Sequence, residues 1–244
     1  MLNRNSPTPL HQQLEEIIKA KIENDEWQPD AQIPSENELS KTYGLSRMTT
    51  RNVIMRLVFQ GLLYRVAGKG TFVAEPKITN KLLLQMGIKE QLDQMGIESE
   101  TRLIEIRKIE APVRIQRELA LPEGSQVFNI ERLRLVKGDP LSIHISYVPV
   151  ELAGTLDTES GFEELQLCDI LEEKFNLRTS RVVETLETSL ATDREAELLA
   201  VKPGFTLLRL ENTEYTAADV PFVHNRVTFR GDKIKIKLEF NRKG

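Results

Sequence analysis

Residues 34–47, PSENELSKTYGLSR, predict two short helices joined by a tight turn. Ser35 is followed three residues later by Glu38, the capping-box pattern, in which the serine hydroxyl accepts a backbone N–H at the helix start and the glutamate reaches back. Gly44 supplies the left-handed residue that closes such a helix, and Ser46 is suited to cap the next one. The chain is therefore committed to a helix, a turn and a second helix within a few residues.

Further segments flank this turn in a definite order. LLYRV and TFVAE, placed around AGKG, predict a β-hairpin in which Gly68 and Gly70 permit positive backbone angles and Lys69 lies at the tip. Apolar spacing and the caps predict three helices before it, at Pro9 to about Glu26, Ser35 to about Tyr43, and Ser46 to about Gln60. Helix, helix, turn, helix and hairpin is the order of a winged helix-turn-helix.

The stretch Ser46–Val73 contains five Lys or Arg residues and no Asp or Glu, although the whole chain has a formal net charge of -4. Attraction to phosphates acts at short range, because distant charges are screened beyond about 10 Å at 0.1 M salt. A local absence of carboxylates is what a surface that meets a polyanion needs. We expect this stretch to lie against double-stranded DNA.

Length and composition limit the class of protein. At 244 residues, two domains are favoured over one. With 40% hydrophobic and 29% charged residues, the chain has no apolar run near the roughly 20 residues that a membrane span needs. The N-terminus lacks the pattern of a secretory signal, and Cys168 is the only cysteine, so no intrachain disulfide framework is available. We expect a cytoplasmic protein with no membrane partner.

From Thr101 onward, extended segments dominate, and short helical segments interrupt them near Arg114 to Ala120, Phe162 to Phe175 and Asp193 to Ala200. ELALPEG followed by SQVFNIERL, and ELLAVKPG followed by FTLLRLENT, share the order helix, Pro/Gly turn, strand. Each then meets a second strand that begins near a proline, PLSIH or PFVHN. Such an internal repeat predicts two related halves that face each other across one mixed or antiparallel sheet, with a ligand cleft between them.

These residues also carry a family resemblance. IPSENEL, GLSRMTTRNVIMRLVFQGLLYR and GKGTFV resemble the DNA-binding domain of the GntR family of bacterial transcription regulators, over most of residues 7–75. RLRLVKGDPLSIHISYVP and PFVHNRVTFRGDK resemble the effector-binding (UTRA) domain of the HutC branch, whose fold is similar to that of chorismate lyase. The resemblance implies an α+β protein: a winged helix-turn-helix at 1–75, a linker at 76–86, and an effector-binding domain with a mainly antiparallel sheet at 87–244.

The resemblance further implies a homodimer that binds a near-palindromic DNA operator and is released or rearranged when a small metabolite enters the second domain. Two-fold pairing doubles the few contacts that one short helix and one wing can make. The regulator is expected to be a repressor. An activator is the alternative, because repression or activation depends on where the operator lies relative to the promoter.

The resemblance assigns DNA contacts to nine residues: Ser35, Asn37, Arg47, Thr49, Thr50, Arg51, Gly68, Lys69 and Gly70. Arg47 and Arg51 belong to the SRxTxR motif, and arginine can hold guanine with two hydrogen bonds. Asn37 stands where many members carry arginine, which is expected to change sequence preference. The plainer alternatives are two solvated surface arginines and a simple β-turn with an exposed lysine.

Arg132 and Arg134 alternate onto one face of a strand and correspond to the arginines that anchor an anionic group in relatives that bind sugar phosphates. The alternative is a solvated strand face paired with nearby glutamates. His144 stands where relatives often have glutamate, and Phe229 where they often have tyrosine. These departures remove partners of a sugar phosphate, so another small anion fits as well. His144 and His224 are further candidates to donate hydrogen bonds to it.

Catalytic motifs are lacking in the sequence. It contains no Gly-rich phosphate loop, no paired histidines at metal spacing, no CxxC and no nucleophile elbow. The spacing of Leu165, Cys168 and Leu171 favours a core position for the cysteine. We therefore expect a binding protein without catalytic residues, metal or cofactor. The alternatives are a lyase-like enzyme that carries a DNA-binding tether, and a metal site built from His144, His224 and Cys168.

Overall fold

The computed structural model describes residues 2–81, 87–158 and 161–237. The chain divides into two compact units, Met1–Lys77 and Ile78–Gly244. The helices are α1 Leu10–Glu23, α2 Glu36–Tyr43, α3 Arg47–Phe59, α4 Ile88–Gln94, α5 Val113–Glu118, α6 Leu167–Phe175 and α7 Asp193–Leu198. The strands are β1 Leu63–Val66, β2 Gly70–Val73, β3 Ile78–Lys81, β4 Ser99–Glu110, β5 Gln126–Val136, β6 Asp139–Pro149, β7 Arg181–Leu190, β8 Thr206–Tyr215, β9 Pro221–Arg230 and β10 Ile234–Lys237.

The first unit is a winged helix-turn-helix. Helices α1, α2 and α3 pack around one apolar core, and β1 and β2 form an antiparallel hairpin behind α3. The fully buried side chains of Leu14, Ile54 and Leu57 bring one face of α1 against one face of α3. Each such side chain contributes about 1.5–3 kcal/mol on burial. The predicted order of elements is confirmed.

The second unit is built on a six-stranded antiparallel sheet in the order β4-β5-β6-β9-β8-β7. The sheet consists of two equivalent halves, β4-α5-β5-β6 and β7-α7-β8-β9, which meet where β6 pairs with β9. Counted from either edge, equivalent strands therefore follow in the same order. The predicted internal repeat is confirmed, and the sheet is the antiparallel one of the two forms expected.

The repeat is regular in detail. Helices α5 and α7, and likewise strands β5 and β8, begin 80 residues apart. Ala120 and Ala200 both have positive φ, 49° and 52°, and each stands at the end of its short helix. Gly124 and Gly204, with φ of 78° and 76°, complete the same turn in each half. Equal positions in the two halves can therefore be compared directly.

Helices cover both faces of this sheet. On one face, α4 and α6 pack on apolar residues of the central strands, including Phe128, Leu141 and Phe222. On the other face, α5 and α7 cover a second set that includes Val127, Leu135 and Ile143. The side chains of α4 and α6 frame the cavity described below.

Three details differ from the sequence-based expectations. Helix α6 begins at Leu167 and not near Phe162, because a turn precedes it in which Leu165 N–H donates to Gly161 O, with Gly161 at φ 93°. Cys168 therefore lies in the first turn and is exposed, so its expected core position is wrong. Part of the expected linker forms strand β3, which pairs in parallel with β10; residues 82–86 of that linker and 238–244 of the second domain lie outside the described residues.

Within the described part of the chain, no helix is both long and apolar enough to span a membrane.

Candidate nucleic-acid interface and ligand cavity

The turn between α2 and α3 is fixed by local hydrogen bonds. The Ser35 backbone N–H donates to Glu38 Oε2 at 2.8 Å, and Glu38 N–H donates to Ser35 Oγ at 3.3 Å, which is the expected capping box. Gly44 closes α2 with φ 62°. Ser40 Oγ then donates to Leu45 O across the turn at 2.7 Å. These contacts set the direction in which α3 leaves the turn.

Three cations of the acid-free stretch are exposed, namely Arg47 and Arg51 on α3 and Lys69 at the hairpin tip. None of the three forms an ion pair with a described residue. The other two are neutralised, because Arg56 lies 3.3 Å from Glu15 Oε2 and Arg65 pairs with Glu36. The stretch therefore presents three free positive charges, not five.

One groove of the first unit brings together five of the nine predicted DNA-contact residues: Ser35, Asn37, Arg47, Gly68 and Gly70. Its wall at the wing depends on Gln32, whose Nε2 donates to Lys69 O at 2.8 Å. Gly70 has φ 134°, a conformation that other residues rarely adopt, and a Cβ atom there would also lie 2.5 Å from this nitrogen, so glycine is strongly favoured. Sequence reasoning missed Gln32, because its place beside the wing comes from pairing with Phe72, which is 40 residues away in the chain.

The two threonines of α3 have structural hydrogen bonds. Thr49 N–H donates to Ser46 Oγ at 3.1 Å, and the two hydroxyls lie 2.8 Å apart, so Thr49 shares in the cap. Thr50 is fully buried, and its Oγ1 donates to Ser46 O at 3.2 Å. The predicted DNA contact of Thr50 is wrong, because its side chain has no surface to offer to a phosphate or a base.

The second unit contains a cavity of about 160 Å³ over the central strands. Arg132 and Arg134 project into it from β5 and are only 6% and 3% exposed. The Nε and Nη1 atoms of both side chains have no hydrogen-bond partner among the described residues. Burial, and for Arg132 also the charge of Arg134, lowers the pKa of each guanidinium to about 10. Both therefore stay charged at neutral pH.

His144 and Phe229 line the same cavity. Their rings meet edge to face with centroids 6.4 Å apart, and His144 Nε2 lies 2.9 Å from Ser142 Oγ. Burial and then the charges of Arg134 and Arg132 hold the pKa of His144 well below its usual range. The imidazole is neutral at physiological pH, so the positive charge of the cavity comes from the two arginines.

The remaining wall of the cavity is a polar network that sequence reasoning missed. Ser146 Oγ donates to Asn225 Oδ1 at 2.6 Å, and Asn225 Nδ2 donates to Asn212 Oδ1 at 2.9 Å and to Glu214 Oε1 at 3.0 Å. Asn212 Nδ2 in turn donates to Glu184 Oε1 at 3.4 Å. The signal that could have found it is the repeat itself, since Asn212 and Glu214 stand 80 positions after Arg132 and Arg134.

His224 lies on the opposite face of the sheet. The cavity-lining residues of β9 are Asn225, Val227 and Phe229, and alternation along a strand turns His224 away from them. Its Nδ1 lies 2.9 Å from Thr213 Oγ1, and it is 2% exposed. The predicted effector contact of His224 is therefore wrong, because it is a core histidine whose pKa is lowered by burial.

The start of α6 closes the cavity. Cys168 lines it; although the residue as a whole is exposed, desolvation of the thiol, together with Asp169 and Glu214, raises the pKa of the thiol to about 12. Gly87, the residue before α4, lies so close to Gln166 that a Cβ there would be 1.6 Å from Gln166 Oε1. The described residues contain no group of three His, Cys, Asp or Glu side chains able to hold a metal ion.

Two family models match the chain. Residues 10–73 match the bacterial regulatory proteins of the gntR family, and residues 94–235 match the UTRA domain. The HTH-type transcriptional repressor NagR of Bacillus subtilis (strain 168) is 36% identical over 232 residues, which cover 95% of each chain. The probable fructoselysine utilization operon transcriptional repressor of Escherichia coli (strain K12) is 29% identical over 95% of this chain and 96% of its own.

A similar fold is found in a solved structure. PhnF from Mycobacterium smegmatis has a TM-score of 0.67 and 22% identity, and the match covers 96% of this chain and all of that one.

Proposed function

The chain belongs to the gntR family of bacterial regulatory proteins and carries a UTRA domain, and from this premise we propose that it is a repressor whose hold on DNA is controlled by a small anion. It binds a near-palindromic operator as a homodimer, and the anion enters the cavity of the second unit and releases or rearranges the dimer. The relatives NagR and the fructoselysine regulator are named as repressors, which favours repression over activation.

The DNA-binding part of the proposal is supported by the three free cations. Arg47 and Arg51 lie at the N-terminal end of the recognition helix α3, which is the part of a helix-turn-helix that reaches base edges. Lys69 at the wing tip is placed to contact a phosphate or the minor groove. A single helix and wing give few contacts, so binding by a dimer to two half-sites about one helical turn apart follows.

The observation that carries the effector part is a pair of buried arginines whose Nε and Nη1 atoms have no hydrogen-bond partner among the described residues. A buried charge that lacks a hydrogen-bonded counter-charge is destabilising by several kcal/mol, and proteins rarely keep one unless a ligand completes it. Arg132 and Arg134 present planar guanidinium groups, which suit a phosphate or a carboxylate. A sugar phosphate or a small carboxylate is the ligand class that results.

We infer that the cavity binds its ligand without converting it chemically. A thiol whose pKa is raised to about 12 is not ionised near neutral pH, so Cys168 is a poor nucleophile. His144 already has Nε2 beside Ser142 Oγ and keeps its neutral form. A lyase-like enzyme with a DNA tether would instead convert substrate steadily at stoichiometric protein.

The test is selection of genomic DNA fragments by the purified chain, followed by fluorescence anisotropy with the selected duplex and with a scrambled competitor. We expect clear preference for the selected duplex, a dimer in sedimentation, and release by one member of a panel of phosphorylated sugars, phosphates and carboxylates. Arg132→Gln should bind the duplex normally and lose release. No preference for any duplex would overturn the DNA proposal, and normal release of the variant would overturn the anion site.

A further inference from the structure

The two halves of the second unit differ in charge at equal positions. Arg132 on β5 corresponds to Asn212 on β8, and Arg134 corresponds to Glu214, each 80 residues later. All four side chains line the same cavity. One half of the cavity is therefore cationic, whereas the other half is polar and acidic.

The acidic half consists of Glu214 and Glu184, the latter on β7. Neither carboxylate forms an ion pair with a described residue. Glu214 is held by Thr179 Oγ1 at 2.5 Å and by Asn225, which leaves further lone pairs free. Burial raises the pKa of both carboxyl groups, and in Glu184 the charge of Glu214 adds to this. These are the properties of carboxylates that lack a counter-charge.

A ligand with only an anionic group would satisfy one half and leave the other unmatched. Two guanidinium groups and two carboxylates face the cavity, and His144 is neutral. Attraction between opposite charges strengthens as water is displaced, so the unmatched carboxylates would gain from a cation brought by the ligand. Cys168 lines the same cavity as the two arginines and the two carboxyl groups.

Resting on the proposed function, we propose that the effector is a bipolar molecule whose anionic group binds Arg132 and Arg134 and whose protonated amine binds Glu214 and Glu184. Arg132 and Glu184 lie on strands four spacings apart, roughly 19 Å between backbones, and their side chains narrow this gap. The cavity of about 160 Å³ is close to the size of an engineered cavity, roughly 150 Å³, that holds benzene. A short chain or one ring with charged ends fits this space.

The experiment compares matched probes on the full chain by isothermal titration calorimetry. One series is ω-aminoalkyl phosphates of three to six carbons, and the other is the same phosphates ending in a hydroxyl group. We expect one chain length for which the amine binds at least about tenfold tighter than its hydroxyl counterpart, as one hydrogen-bonded charge pair gives. Equal or weaker binding of every amine would overturn the amine subsite alone. Binding of neither series, nor of inorganic phosphate, would overturn the anion site as well.

Variants locate the preference. Glu214→Gln should bring the amine and hydroxyl affinities to within about threefold, while the hydroxyl series binds as before. Glu184→Gln gives a second reading if loss of the Thr179 and Asn225 contacts impairs folding of the first variant. The control is Glu187→Gln. Glu187 lies on β7, the strand of Glu184, but its side chain is 62% exposed and lies outside the cavity lining. A full amine preference in both cavity variants would overturn the proposal.

Discussion

The two units keep their functional cations in opposite surroundings. In the first unit, Arg47, Arg51 and Lys69 are exposed on the helix and the wing. In the second, Arg132 and Arg134 are buried, and two nitrogen atoms of each lack a hydrogen-bond partner within residues 2–81, 87–158 and 161–237. Exposed arginines cost little to keep in the absence of DNA, because water solvates them. Buried ones carry a desolvation penalty until a ligand arrives.

On the proposed function, this contrast predicts that the two sites respond differently to their ligands. A surface that meets DNA gains from many weak contacts and from released counterions, so its binding depends on salt. A cavity with a few buried charges gains from one well-placed partner, and its occupancy changes the stability of its own fold. Exposed charges therefore suit recognition of a long polymer, whereas buried ones suit the sensing of a small molecule.

The largest expected effect is on the exposed side. Arg51→Ala should weaken binding to the selected duplex by about 1–3 kcal/mol and reduce discrimination at one base position. Fluorescence anisotropy with single-base variants of the duplex measures both. Arg56→Ala is the matched control, since Arg56 pairs with Glu15 and should leave discrimination unchanged. An equal loss on every sequence would assign Arg51 to phosphate only.

The next effect concerns the buried arginines: removing one of them should increase the stability of the chain. Arg132→Met should raise the free energy of unfolding of the ligand-free chain by about 1–2 kcal/mol, because it removes a buried charge without a partner. Thermal unfolding should show a shift of about 2–4 °C per kcal/mol. Arg51→Met, at an exposed position, should change stability by less than about 0.5 kcal/mol. A lowered melting temperature for Arg132→Met would contradict the contrast between the two sites.

The smallest effect is expected at the wing. Lys69→Ala should reduce the slope of log affinity against log salt by about one unit, so over a fourfold rise in salt its affinity should fall about threefold less than that of the unchanged chain. Binding isotherms at several salt concentrations measure the slope, and Lys69→Arg should retain it. A slope that Lys69→Ala leaves unchanged would remove the wing from the interface.

Local signals made the first unit easy to predict. The capping box at Ser35, the left-handed Gly44 and the glycines of the wing each act over a few residues, so the sequence shows them directly. The repeat likewise predicted the sheet, because its two copies share helix, turn and strand. These devices fix elements and their order, which is most of the fold.

Side-chain surroundings were harder to predict, because they depend on long-range packing. Thr50 lies inside the SRxTxR segment, whose arginines Arg47 and Arg51 are exposed, yet the helix turns its side chain into the core. His224 differs from the cavity residues only by one step along β9, and that step reverses its face. Cys168 was misplaced because the turn at Gly161 delays the start of α6. Each error followed from a shift of one face or one turn.

The two-fold likeness within the second unit has a consequence for how such sensors diversify. Both structural repeats contribute strands to the sheet beneath one cavity. A substitution in one repeat therefore alters only the part of the cavity that this repeat lines. On the proposed function, Arg132 and Arg134 would bind the anionic group in each such sensor, whereas substitutions at Asn212 and Glu214 would change which remainder of the ligand fits. In this way one repeat would supply the anion-binding residues and the other repeat would set the specificity for the rest of the ligand.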